Sequence, residues 1–201
     1  MPKIVDKKLM QETIITAAIN AFSKYGFAKT TMVQIAQEAN LAKGTLYLYF
    51  KSKEELLSNI SEMHFSKLKE GLIPNEYFTS LDTLLAYIEK ALLIDEEETK
   101  FIPIFFEAFG AQLSNDEFMG QYRELFKTIG EFYASNFQLL IDKKEINSSI
   151  NPDALGRVLV SMLDGVILHK GFFNISEYEH IFMVKSALVL FKNGLKTEYD
   201  S

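Results

Sequence analysis

Three histidines, His64, His169 and His180, are scattered along 201 residues that contain no cysteine. Metal and nucleophile chemistry needs such side chains gathered at short spacings, as in H-E-x-x-H, and no such grouping is present. No glycine-rich loop is spaced to cradle a phosphate. The sequence therefore offers no catalytic constellation, and neither a metal nor a cofactor is expected. The side chains that can do chemistry lie in one short stretch, where Lys43, Thr45 and Tyr47 alternate along five residues. Ammonium and hydroxyl groups at that spacing suit phosphate oxygens and the edges of bases.

The charge distribution agrees. The chain carries a net charge of −6, but residues 1–53 hold eight lysines against Asp6, Glu12 and Glu38, which gives 8 − 3 = +5 and leaves −11 for the remainder. A basic head on an acidic body is the asymmetry expected where one end of a molecule meets polyphosphate. Absence of cysteine excludes disulfides and permits a reducing compartment. The first residues lack the apolar run of a signal peptide, and no stretch approaches a membrane span. A soluble cytoplasmic protein without membrane association is the expectation.

Helices must position these groups. Only four prolines interrupt the chain, and the apolar residues recur at three- and four-residue spacings, as in Ile15, Ala18, Ile19 and Phe22. Capping boxes, in which Ser or Thr pairs with Glu or Gln three positions on, are predicted at Thr31/Gln34, Ser52/Glu55, Ser114/Glu117 and Ser176/Glu179. Asn151-Pro152 marks a further start. The spacing predicts an all-α fold of about nine helices, near 6–25, 31–39, 42–49, 52–71, 79–94, 100–113, 115–142, 151–170 and 176–196. Pro103 should start or bend the sixth, and Asp95-Glu96-Glu97-Glu98 reads as a solvated loop.

Helices two and three form a helix-turn-helix pattern. Ala36 is small where two helices must approach closely, and Asn40 tolerates a left-handed turn. Ile35, Ala39, Leu41 and Leu46 can then share a core with Phe22. Ala42, Lys43, Gly44, Thr45, Tyr47 and Leu48 remain at or around the outward side. Gly44 costs about 1 kcal/mol relative to Ala within a helix, and close approach of its backbone to a DNA groove would compensate. A helical hairpin that only packs is the competing reading. The start of helix four, beside Lys51 and Lys53, offers free N–H groups as a phosphate seat.

The segment Phe22–Leu56, with Lys43-Gly44-Thr45-Leu46-Tyr47, Tyr49-Phe50 and Lys53-Glu54-Glu55-Leu56, resembles the DNA-binding head of the tetracycline-repressor (TetR) family. That resemblance covers about residues 10–60. It implies an all-α homodimer whose recognition helices enter successive major grooves of a palindromic operator and leave on ligand binding. It further implies DNA contacts by Thr31, Lys43, Gly44, Thr45, Tyr47, Tyr49 and Lys53. Asn40 departs from the glycine usual there. The division implied is a helix-turn-helix domain over 1–51 and a ligand-binding and dimerisation domain over 52–201, with helix four as the lever between them.

The body is less explicit. Phe101, Phe105 and Phe109 follow one another at four-residue spacing, and Tyr122, Phe126, Tyr133 and Phe137 run along the next helix. Such stripes serve as packed core, or some of them line an apolar cavity. His64, Asn136, Asp164 and His169 are possible polar anchors, and His64, Phe105, Phe109, Tyr122, Phe126, Tyr133 and Asp164 are the candidate ligand residues. Arg123 and Arg157 are the only arginines, too few to clamp a multiply phosphorylated effector, so a small apolar or amphipathic one is expected. The last two helices carry Leu155, Leu159, Met162, Leu163, Val166, Phe182, Leu188, Val189 and Phe191 on more than one face, with Ser161 and Gly165 allowing close approach, which suits a homodimer. Three functions compete: a ligand-released repressor on a double-stranded DNA operator, a DNA-binding regulator whose body makes protein contacts, and an enzyme or lipid carrier, for which no residues speak.

Overall fold

The computed structural model describes residues 7–94 and 96–196; the side chains of 96–98, 100, 101, 108 and 111 lie outside that description, Phe101 among them. Among the described residues there are nine helices and no strand: α1 (Lys7–Tyr25), α2 (Met32–Glu38), α3 (Lys43–Tyr49), α4 (Lys53–Leu72), α5 (Leu81–Leu92), α6 (Glu96–Gln112), α7 (Asp116–Asp142), α8 (Pro152–Phe173) and α9 (Glu177–Leu195). The all-α fold predicted from periodicity is the fold observed.

Local chemistry explains most helix starts. Thr31 Oγ1 accepts from Gln34 N at 3.3 Å while Gln34 Oε1 accepts from Thr31 N at 2.8 Å, closing a reciprocal box on α2. Ser176 and Glu179 do the same for α9, and Asn151 with Pro152 opens α8. At α4 only half the box forms: Glu55 N donates to Ser52 Oγ at 3.1 Å, but the Glu55 carboxylate accepts from Lys51 N at 2.7 Å.

Two expectations need correction, and one cap is unexpected. Asn115, not Ser114, starts α7, its Oδ1 accepting from Glu117 N at 3.1 Å and Phe118 N at 3.2 Å. Ser80 caps α5 with Thr83 as reciprocal partner, a box whose threonine the Glu/Gln rule overlooks. The acidic run is not a loop: Glu96, Glu97 and Glu98 form the first turn of α6. Asp95 lies outside the described residues. Pro103 consequently sits inside α6 and not at its start.

The chain forms two compact units. One comprises the described residues up to His64 with Lys100–Phe118, the other Phe65–Thr99 with Met119 onward. The division thus falls inside α4, past the boundary at 51/52 that marks the end of the helix-turn-helix in the sequence. In the first unit Ile14, Ala18 and Phe22 of α1, Ile35 and Ala36 of α2, Leu46 of α3, Leu56 and Ile60 of α4 and Ile104 of α6 share one core.

In the second unit α7 and α8 cross with almost no space between backbones. A Cβ on Gly156 would collide with the Gly130 carbonyl oxygen and lie 3.1 Å from Ala134 N. The end of α5 is closed by two buried basic side chains: Lys170 Nζ donates to Ile94 O at 2.9 Å, and His180 Nε2 lies 2.8 Å from Leu92 O. Leu92 O is a helix-end carbonyl that lacks an intrahelical donor, and Ile94 O lies just beyond the cap. Burial holds the His180 imidazole below its ordinary pKa, which favours the neutral ring.

Candidate nucleic-acid interface

The turn between α2 and α3 is built from backbone bonds. Asn40 takes a left-handed φ of 52°, its N–H donates to Gln37 O at 3.0 Å, and Leu41 N–H donates to Ala36 O at 2.8 Å. This pair of bonds is the Schellman closure of a helix end, with asparagine in the position glycine usually takes. Leu41 then packs against the first unit's core. Ala42 is the extended N-cap of α3, contributing its carbonyl to Leu46 N at 3.2 Å and no side-chain bond.

Leu46 is fully buried and fixes the rotation of α3. With 3.6 residues per turn, Gly44 and Leu48 fall on the side opposite Leu46, one turn apart. Both are exposed, Leu48 by 82%. A Cβ at Gly44 would meet nothing within 4 Å. The protein itself therefore gives no steric reason for a glycine there. Lys43 and Tyr47 flank this crest, with the Lys43 ammonium 5.7 Å above the Tyr47 ring.

The remaining expected contacts are more engaged. Thr45 is half-buried, and Tyr49 is half-buried and packs against the core. Thr31 is exposed but its hydroxyl is committed to the α2 cap. Lys53 Nζ donates to Phe27 O and Ala28 O, each at 3.0 Å, and sits 4.8 Å over the Phe27 ring.

The same turn is held from its other side by Glu107 of α6, whose Oε1 accepts from Ala28 N at 3.0 Å. Gly26, at φ +79°, makes room, because a Cβ there would stand 3.3 Å from both Glu107 oxygens. Backbone N–H groups of Ala28 and Phe27, with Lys53 and Lys29 nearby, hold the Glu107 carboxyl below its ordinary pKa. Sequence reasoning did not find Glu107, since its partner lies 79 residues away and α6 shows no local pattern that points to it.

The candidate ligand residues divide between the units. In the first, Phe105 is buried, with its ring 5.3 Å from His64 and 5.9 Å from Phe109. In the second, Tyr122 lies 4.6 Å from Phe126 and 5.8 Å from Phe65. Asp164 is half-buried, and desolvation pushes its carboxyl up to about 6. Burial, with the Asp164 charge second, pushes the Tyr122 phenol up to about 12. Tyr133 is placed in packed core: it is fully buried, and its hydroxyl donates to Leu72 O at 2.8 Å. Asn136, also fully buried, accepts from Phe78 N at 2.9 Å and donates to Phe132 O at 2.8 Å, so it splices a loop to α7. His169 is exposed beside Phe173, with 4.7 Å between rings.

A tight left-handed turn and a short helix with an open, partly basic crest define a helix-turn-helix transcriptional regulator that binds DNA. The family model of bacterial regulatory proteins, tetR family, matches residues 14–60. The whole chain is similar to the HTH-type transcriptional regulator YfiR of Bacillus subtilis (strain 168), 25% identical over 203 residues and covering 98% of each chain. An HTH-type regulator of Haemophilus influenzae is 31% identical over 142 residues, 71% of this chain and 57% of its own. Among solved structures, a TetR transcription regulator from Haloarcula marismortui superposes with a TM-score of 0.77 at 17% identity, covering 94% of this chain and 100% of that one. The protein belongs to the TetR family. No helix among the described residues is long and apolar enough to cross a membrane.

Proposed function

We propose that the protein is a homodimeric repressor that holds a palindromic operator through α3 and releases it when a small, mainly apolar effector binds the body. The observation that carries this reading is the apolar surface of the last two helices in the single chain. Tyr178, Phe182 and Val189 recur along one side of α9, exposed by 77%, 65% and 57%. On α8, Val158 and Phe172 are exposed around Ser161 and Gly165, and a Cβ on Gly165 would meet nothing within 4 Å. Helices this apolar on their outer side are stabilised by a partner surface, and a second copy supplies one with two-fold symmetry. A dimer places two copies of α3 to read two half-sites about 34–36 Å apart.

The effector reading rests on Tyr122 and Phe126, which are half-buried and near each other, with the buried Phe65 beside Tyr122, and on Asp164, a carboxyl held in a poorly solvated place. Such a set gives hydrophobic contact with few fixed polar anchors. A second reading, a DNA-binding regulator with no small-molecule effector, is favoured by Tyr133 alone, which is core and not cavity wall.

Full-length protein titrated onto its own upstream DNA separates these readings. Lys43→Ala and Tyr47→Ala should each weaken binding by about 1–3 kcal/mol while leaving sedimentation unchanged. Phe182→Glu with Val189→Glu should produce a monomer that no longer shifts the operator. Operator release by apolar or amphipathic compounds that also raise the melting temperature supports the effector; undiminished binding across such a screen supports the second reading. A wild-type protein that sediments as a monomer at micromolar concentration would sink the dimer.

A further inference from the structure

Leu48 is the most exposed large apolar side chain of the whole described chain, at 82%, and it stands on the crest of α3 beside a glycine whose missing Cβ nothing in the protein requires. An exposed leucine alone is unremarkable on a protein surface. Its position is informative for three reasons. First, α3 is the element whose head carries the chain's positive excess, so the surface it presents is complementary to DNA. Secondly, the crest itself, Gly44 and Leu48, holds no hydrogen-bonding side chain: α3 reads Lys-Gly-Thr-Leu-Tyr-Leu-Tyr, with no Arg for guanine and no Asn or Gln for adenine, and its one cation, Lys43, stands to the side of the crest over Tyr47. The two arginines of the chain are Arg123 and Arg157, on α7 and α8. Thirdly, Lys43 and Tyr47 are arranged together to one side, where an ammonium and a phenol suit phosphate oxygens. What remains on the crest for the base edges is a bare backbone at Gly44 and an isobutyl group at Leu48.

Only one base presents an apolar group in the major groove, and that is thymine, through its C5-methyl. We propose that Leu48 determines sequence preference by packing against the C5-methyl group of a thymine, with Gly44 allowing the helix to sit deep enough for that contact. The inference rests on α3 being the DNA-reading helix and adds to it the chemistry of the base that is read.

The test uses the full-length protein and a random-sequence duplex library from which bound DNA is selected and sequenced. Each thymine of the enriched sequence is then replaced in turn by deoxyuridine, which removes the C5-methyl and nothing else. The wild type should bind about four-fold more weakly when the critical methyl is lost, the worth of one buried methyl-sized group. Leu48→Ala should bind the thymine and deoxyuridine duplexes equally, and Leu48→Met, which keeps apolar reach, should retain most of the discrimination. Because Leu48 supports no core, both variants should melt with the wild type.

Several outcomes overturn the proposal. They are an enriched sequence without thymine, deoxyuridine tolerated at every position by the wild type, or an undiminished penalty in Leu48→Ala. A change in oligomeric state on Leu48→Ala would assign the side chain to a protein contact instead. If no sequence is enriched at all, the assignment of α3 to DNA falls as well, so the two failures are told apart.

Discussion

The two ends of the chain expose different kinds of surface. Along α2 and α3 the exposed large apolar side chains are Val33, Tyr47 and Leu48, set among lysine and small residues; along α8 and α9 they are Val158, Phe172, Phe173, Tyr178, Phe182, Val189 and Leu190. Phosphates reward charge and a close backbone, so the head can be polar and shallow at its outer side. The outer sides of α8 and α9 are apolar, the kind of surface that a dry protein contact rewards. The contrast teaches that exposure alone does not mark function. Its chemistry tells which class of molecule would cover it.

The contrast also concerns how closely each region is packed, and this can be broken by substitution. The largest effect is expected at the α7–α8 crossing. Gly156→Ala drives a methyl into the Gly130 carbonyl and should cost about 2–3 kcal/mol, read as a lower denaturant midpoint. The corresponding change in the head, Gly44→Ala, adds a methyl to open space and should stabilise the fold by up to about 1 kcal/mol while weakening DNA binding. Equal melting losses for the two variants would erase the distinction between a glycine kept for packing and one kept for a ligand.

A smaller effect isolates the electrostatics of the body. Asp164 holds its proton more tightly in the fold, at about 6 against 3.8 for the ordinary group. As pH rises from about 4 to about 6 the native state binds more protons than the unfolded chain, so stability falls through that window. Asp164→Asn should remove this fall and stabilise the protein at pH 7 by about 1 kcal/mol, allowing for the solvent that still reaches the group. Melting curves of both proteins at pH 4 and pH 7 check the sign, and a variant less stable at pH 7 would show the carboxylate to be held by a favourable partner.

The smallest effects belong to the turn. Asn40→Gly should change stability by no more than about 0.5 kcal/mol, because both residues accept the left-handed backbone, whereas Asn40→Ala should lose about 1 kcal/mol. Chemical denaturation resolves the pair, and a loss in Asn40→Gly as large as in Asn40→Ala would mean that the asparagine side chain, not its backbone, holds the turn.

The head was legible because nearly every residue in so short a motif has a separate task. Thr31 with Gln34, Ala36, Asn40, Leu41 and Leu46 each occupy the place their chemistry predicts. Long helices are more permissive. Gly156 looked like any glycine in α8, since a close crossing depends on what α7 presents opposite and leaves no periodic trace. The roles of Lys170 and His180 leave no local trace for the same reason: their partners, Ile94 O and Leu92 O, are backbone atoms at and just past the end of α5, distant in sequence. The acidic start of α6 misled because a charge run suits both a solvated loop and the first turn of a helix. Asn115 displaced Ser114 because either can cap, and a choice between adjacent caps turns on backbone angles that the sequence does not state.

The reach of Glu107 to the α1–α2 turn has a consequence for how the molecule is made. The bond to Ala28 spans 79 residues, and Ile104 from the same helix belongs to the core that α1–α4 share. A ribosome adding about 5–20 residues per second emits Ala28 roughly 4–16 s before the carboxylate that accepts its N–H. Lys53 follows Ala28 by 25 residues, so for most of that interval the turn at Phe27 and Ala28 has its lysine but not its glutamate. The nascent head is therefore completed only after much of the chain has been synthesised, and its assembly is timed by translation as well as by its own short-range contacts.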